Sequence, residues 1–406
     1  MTDSTAHKDT HRLYFLDTIR WFIIVFVVLQ HAALIYISYG GGRNVAQHVF
    51  NLIVNITDIF MIPILFFLAG YFALASIRKK GPAVFLAGKF RRIWIPWLIG
   101  VTFIVPLASY LMYYLRVGGE SPDSYWAYWT NWMAGAAAFH TGRVASPDTF
   151  SHKHMWFLSV LFAFFILFSA VYAAAKRFSQ RSSERPRREP ATPREITWAL
   201  VMLGIVSAAA FYVIKLFVPW GYQATLFLGL VHFDPSRLGV YAVYFPFGVY
   251  AYLRGWFTGE SQPSGLRIWL PLSIALLLLQ SYLTVAGIPD VTALTKPMLC
   301  ILRSFLGLSM FVSLLILFRQ YLNSGTGLGR ILSTNSYTVY IIHYPLVPAA
   351  AIALMGSSIP VLAKCAAIFV VSYVVGYILA EYAVKPFPRL STAALVALNA
   401  IFWVVT

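Results

Sequence analysis

Runs of about twenty apolar residues recur along almost the whole chain, and this pattern more than any other limits what it can fold into. A run of that length spans a bilayer as a helix. A membrane β-barrel would instead show alternating segments of about ten residues. The 406 residues are 59% hydrophobic and 11% charged, against about 25% charged in soluble domains. The reading is an all-α polytopic bundle of about ten transmembrane helices forming a single domain over 1–406, with both termini cytoplasmic.

The expected spans are 13–39, 49–77, 93–115, 154–175, 196–218, 238–253, 266–286, 297–321, 331–354 and 359–384. A final apolar stretch, 390–405, reads either as an interfacial helix or as an eleventh span. The first run holds Asp17 and Arg20 and lacks a small-residue cleavage site, which argues against a removable signal peptide. Cys300 and Cys365 both fall inside apolar runs, so they read as packing residues and signal neither a disulfide framework nor a metal site.

A net charge of +17 would suggest a nucleic-acid partner in a soluble protein. With the N-terminus inside, 21 of the 31 Lys and Arg fall in cytoplasmic segments and seven in outer ones. That bias is the positive-inside signal, so the charge orients the chain and calls for no nucleic acid. The Arg-, Ser- and Pro-rich segment 176–195 reads as a flexible cytoplasmic loop. The outer loop contains Trp126, Trp129 and Trp132, either an interfacial anchor or a stacking surface for a sugar.

Ionisable groups within apolar spans are costly and mark functional positions. Arg20 and His31 are eleven residues apart, close to three helical turns, so they share one face and stand about 16 Å apart along the axis. Arg20 lies toward the cytoplasm, one turn beyond Asp17, and His31 toward the outside. Asp58, on the second span, is expected at the depth of His31, where a carboxylate would orient the imidazole. Lys89, Arg91 and Arg92 stand at the inner mouth of the third span, either as positive-inside anchors or as a site for phosphate. Ser336, Tyr340 and His343 form a polar stripe on the ninth span, which lines a cavity or holds neighbouring helices by hydrogen bonds.

These features carry a family resemblance. Residues 14–20, Tyr-Phe-Leu-Asp-Thr-Ile-Arg, followed by ten residues and His31, resemble the opening helix of the acyltransferase family 3 membrane proteins. Phe66–Phe72 on the second span, Met155–Leu158 on the fourth and Ser336–His343 on the ninth follow in the same order. The likeness is greatest to a branch associated with succinylation of periplasmic glucans.

The resemblance implies a multi-pass protein of the cell inner membrane with no permanently bound cofactor. It implies transfer of an acyl group from cytoplasmic acyl-CoA (succinyl-CoA or acetyl-CoA) to a hydroxyl of an extracytoplasmic carbohydrate. The family's functional Arg and His fall on Arg20 and His31. Its Arg-x-x-Arg pair falls on Lys89 and Arg92, and Lys in the first place keeps the charge but loses the planar fork.

The two lines together predict the following arrangement. CoA phosphates sit at Arg20, Lys89, Arg91 and Arg92. His31 acts as base or acyl carrier with Asp58 behind it, and Ser336, Tyr340, His343, Trp156 and Arg303 line the substrate cavity. The rival reading is a transporter of a polar or anionic small molecule. The lack of an internal repeat and the ordered motifs speak against it, and acyl-CoA consumption separates the two.

Overall fold

The computed structural model describes residues 13–39, 45–118, 124–139, 150–179, 189–218, 224–226, 231–258, 261–287, 292, 294–323 and 327–405. The central part of the basic loop, 180–188, lies outside the described residues, as do 119–123 and 140–149 of the segment expected on the outside.

The chain is a bundle of helices. The first is α1 (Tyr14–Tyr39), followed by α2 (Val45–Lys80). A third rod combines α3 (Pro82–Lys89), α4 (Ile95–Ile99) and α5 (Val105–Arg116), joined by π-turns at Phe90–Trp94 and Gly100–Ile104. Then come α6 (Tyr125–Phe139), α7 (Trp156–Ser179), α8 (Pro193–Phe217), α9 (Pro235–Leu253) and α10 (Leu266–Val285). The last are α11 (Thr295–Tyr321), α12 (Gly327–Ala353), α13 (Val361–Leu379) and α14 (Pro388–Val405). One short antiparallel pair, β1 (Ala224–Leu226) and β2 (Val231–Phe233), joins α8 to α9 and packs on α7.

Among the described residues eight helical rods are long and apolar enough to cross a bilayer. The expectation of about ten also counted α9 and α12, which fall outside this set. The reason is chemical. Both helices face the bundle interior and carry polar side chains there, so their length is right but their apolarity is diluted.

Helices α2 and α9 cross at backbone contact. A Cβ added at Gly70 would stand 2.0 Å from the carbonyl oxygen of Phe245, and one at Gly248 would stand 2.1 Å from that of Phe67. Small residues at a crossing let membrane helices approach closely. The Phe66–Phe72 motif thus has a packing rationale, and its aromatic members stack outward from the crossing, Phe66 on Tyr241 at 4.8 Å. Gly70→Ala is expected to lose about 3 kcal/mol, the upper part of the range for overpacking, because a backbone oxygen cannot rotate away. A thermal melt in detergent checks this.

Helix α6 packs against α5, and α14 packs on both α6 and the second π-turn. Trp132 is fully buried, Trp129 Nε1 donates to the Thr102 carbonyl at 3.0 Å, and Trp126 and Trp129 both meet Trp403. Trp129 and Trp132 therefore fasten α6 to its neighbours, while Trp126 is about half exposed.

Candidate active site

A cavity of about 460 Å³ opens between α1, α2, α9, α12 and the start of α7. His31, Gln30, Asp58, Trp156, Tyr340 and Tyr344 line it, and so do Lys153, His154, Asp234 and Arg237. Around His31 the walls are aromatic. Tyr344 meets it edge-on at 5.2 Å, and His154 stacks on Tyr344 at 4.3 Å. The Nδ1 of His31 lies 2.8 Å from the Val27 carbonyl and 3.3 Å from Nε2 of His343. Among the described residues its Nε2 has no partner, and it is open to the cavity.

Asp58 reaches this cavity but not His31. Its carboxylate is bonded to Nη1 of Arg237, whose Nε lies 3.4 Å from Asp234. Asp234 is itself fixed, since it caps α9 by accepting from the backbone N–H and the hydroxyl of Ser236. The expected Asp58–His31 pair is thus corrected. A guanidinium offers Asp58 a charge-assisted bond that a neutral imidazole cannot match.

The other expected cavity residues divide. Trp156 and Tyr340 line the cavity, and the Tyr340 hydroxyl donates to the His154 carbonyl. His343 is fully buried behind His31 and is not a lining residue. Ser336 turns its hydroxyl back to the Ser333 carbonyl at 2.8 Å, so it does not belong to the cavity. Arg303 faces a separate pocket of about 50 Å³ that shares the Asp58–Arg237 wall.

Arg237, Asp234, Lys153 and His154 were missed. Arg237 and Lys153 counted as outer-loop charges, and only the three-dimensional structure folds them back over the cavity. Asp234-Pro235-Ser236 is a helix-start signature that would have placed Arg237 in the first turn of a helix. His154 stands directly before the Met155–Leu158 motif.

At the N-terminal end of α1, Arg20 pairs with Asp17 at 3.0 Å and lies 4.5 Å over the ring of Phe72. Lys89 lies 4.0 Å over Phe165 and within electrostatic reach of Arg20, Arg92 and Lys80. Among the described residues no carboxylate pairs with Lys89, Arg91 or Arg92.

The cationic segment is tied to the cavity through α12. Pro96 has no N–H to offer the Arg92 carbonyl four residues earlier. The Tyr337 hydroxyl supplies a donor instead, at 2.6 Å. One helix therefore braces the cations with Tyr337, the His154 backbone with Tyr340 and the His31 ring with His343.

The bundle thus joins a histidine-centred cavity to a cationic cluster through one helix, α12. The acyltransferase domain family model matches residues 13–381, and the chain belongs to that family. Relatives named glucans biosynthesis protein C, from Salmonella paratyphi B, Salmonella dublin and Salmonella enteritidis, are each 24% identical over 343 residues, covering 82% of both chains. No solved structure matches it. The chain is thus a multi-pass membrane acyltransferase.

Proposed function

We propose that the protein takes an acyl group, succinyl or acetyl, from acyl-CoA at the cytoplasmic face of the inner membrane. It delivers that group to a hydroxyl of an extracytoplasmic carbohydrate such as a periplasmic glucan. The observation that carries this reading is His31, with Nε2 open to a polar cavity, on the same helix as Arg20 and about 16 Å from it. Arg20 adjoins Lys89, which stands near Arg92, and among the described residues neither of these two cations is paired with a carboxylate. Phosphates of the donor bind there, and the thioester reaches the cavity along α1. Glucans, in the name of the relatives, support a carbohydrate acceptor. Aromatic and carboxylate side chains suit one, since Trp156 and Tyr344 give flat apolar faces and Asp58 and Asp234 accept hydroxyl hydrogens.

In the proposed reaction Nε2 of His31 removes the proton of the acceptor hydroxyl while the oxygen attacks the thioester carbonyl. The carbon–sulfur bond breaks, and the proton passes to the leaving thiolate. The products are an ester and free CoA thiol.

Purified protein in detergent, given succinyl-CoA or acetyl-CoA and a glucan oligosaccharide, is expected to release thiol in step with ester formation seen by mass spectrometry. Vectorial movement of solute into liposomes without thiol release would favour the transporter reading. Lys89→Gln with Arg92→Gln is expected to raise KM for acyl-CoA tenfold or more, since a charge-assisted bond contributes about 1.5–3 kcal/mol, and to change kcat little.

A further inference from the structure

His343 is completely buried, and its Nε2 lies 3.3 Å from Nδ1 of His31, with the two rings 5.0 Å apart. Its other nitrogen, Nδ1, lies 2.8 Å from the Tyr340 carbonyl and 3.1 Å from the Val339 carbonyl. Carbonyl oxygens only accept, so Nδ1 of His343 carries the proton and a neutral ring then presents a lone pair at Nε2. The same reasoning holds one ring further on. Nδ1 of His31 faces the Val27 carbonyl at 2.8 Å, so it too is the protonated nitrogen. Its hydrogen is shared between Val27 and the lone pair of His343, and the unprotonated nitrogen of His31 is Nε2. Backbone carbonyls of two helices thereby set both tautomers and aim one lone pair into the cavity.

The other polar groups facing His31 do not take this place. Asp58 of α2 is held by Arg237, and Asp234 of α9 by Ser236 and Arg237. Lys153 and His154 enter from the start of α7, where His154 Nε2 lies 3.2 Å from the Ile341 carbonyl. Tyr344 of α12 meets His31 with its ring.

We propose that His343 is a positioning residue for acyl transfer, accepting from His31 Nδ1–H and taking a share of the positive charge that arises on His31 as it removes the acceptor's proton. This rests on the reading of His31 as the base. A hydrogen bond to a charged group is roughly twice as strong as a neutral one. The contact therefore tightens only as the transition state forms, and interactions of that kind accelerate the step. The proton on His343 Nδ1 stays with its carbonyls throughout, so no proton leaves the pair except the one delivered to the thiolate.

His343→Met and His343→Gln are matched in length, and only Gln keeps a strong acceptor. Steady-state thiol release is expected to show kcat of the Met variant lowered about 10- to 100-fold with KM for acyl-CoA within about twofold, and the Gln variant recovering to within about fivefold of the parent. A Met variant within threefold of the parent, or a Gln variant as slow as Met, overturns the proposal, the latter because packing would then explain the loss.

A second measurement needs no turnover. In protein carrying ¹⁵N-labelled histidine, the His31 Nδ1 signal is expected to shift in the Met variant and to stay near its parental position in the Gln variant. A His31 Nδ1 signal at the same position in all three proteins overturns the hydrogen bond. If the parent protein releases no thiol, the function proposed above fails, while the spectra still test the contact on their own terms.

Discussion

On the proposed function, His31→Ala is expected to reduce acyl-CoA turnover by about a thousandfold or more while leaving insertion and thermal stability close to those of the parent. General-base groups contribute about 10²- to 10⁴-fold, and the cavity holds no ready substitute. His154 is tied to the Ile341 carbonyl, and the lone pair of His343 points at the position the imidazole has vacated. Stability changes little because the ring borders an open cavity, so its loss enlarges a space that already exists. The measurement is thiol release by purified protein, with monodispersity in detergent as the folding control. Turnover within threefold of the parent would remove His31 from the chemistry altogether. Turnover that vanishes together with the monodisperse peak would show a structural role instead.

Arg237→Leu destabilises the protein by about 3 kcal/mol and more than Asp58→Asn does. Breaking a buried ion pair by removing one partner costs about 3–5 kcal/mol, and the lower end applies here because each side chain is about one quarter exposed, 28% and 25%. The asymmetry follows from the wiring. Without Asp58, Arg237 still faces Asp234 at 3.4 Å. Without Arg237, Asp58 loses its only ion-pair partner among the described residues while Asp234 keeps its Ser236 contacts. The double variant Asp58→Leu with Arg237→Leu recovers part of the loss, since it removes the stranded Asp58 charge while Asp234 keeps its Ser236 contacts. Midpoints of thermal unfolding for the three variants check the order, and equal losses for both single variants would break this account. The outcome also bears on function, because the pair forms the wall between the His31 cavity and the pocket of Arg303.

Several parts of this protein could be read from its residues in order. Apolar runs define the helices because a bilayer core admits no unpaired backbone, so hydrophobic length alone marks the crossing segments. The spacing of Arg20 and His31 fixes their common face, since helical geometry is local and needs no partner. The stripe Ser336–Tyr340–His343 was likewise visible as a periodicity.

What the stripe touches was not visible. Ser336 bonds within its own helix, Tyr340 reaches the start of α7, and His343 stands behind His31 and not in the cavity. Depth in the membrane can be counted along the chain, and that is why Asp58 was placed level with His31. The azimuth at which two helices meet cannot be counted, because it depends on which small residues let the backbones close together. Here Gly70 and Gly248 bring α2 against α9, and with that contact Arg237 comes within reach of Asp58. Charge and hydrophobic length are properties of the sequence, and they determined that this chain enters the membrane and that α1 joins a cationic end to a histidine. Partner choice is a property of packing, and only the tertiary structure decided that Asp58 answers to Arg237 and His31 to His343.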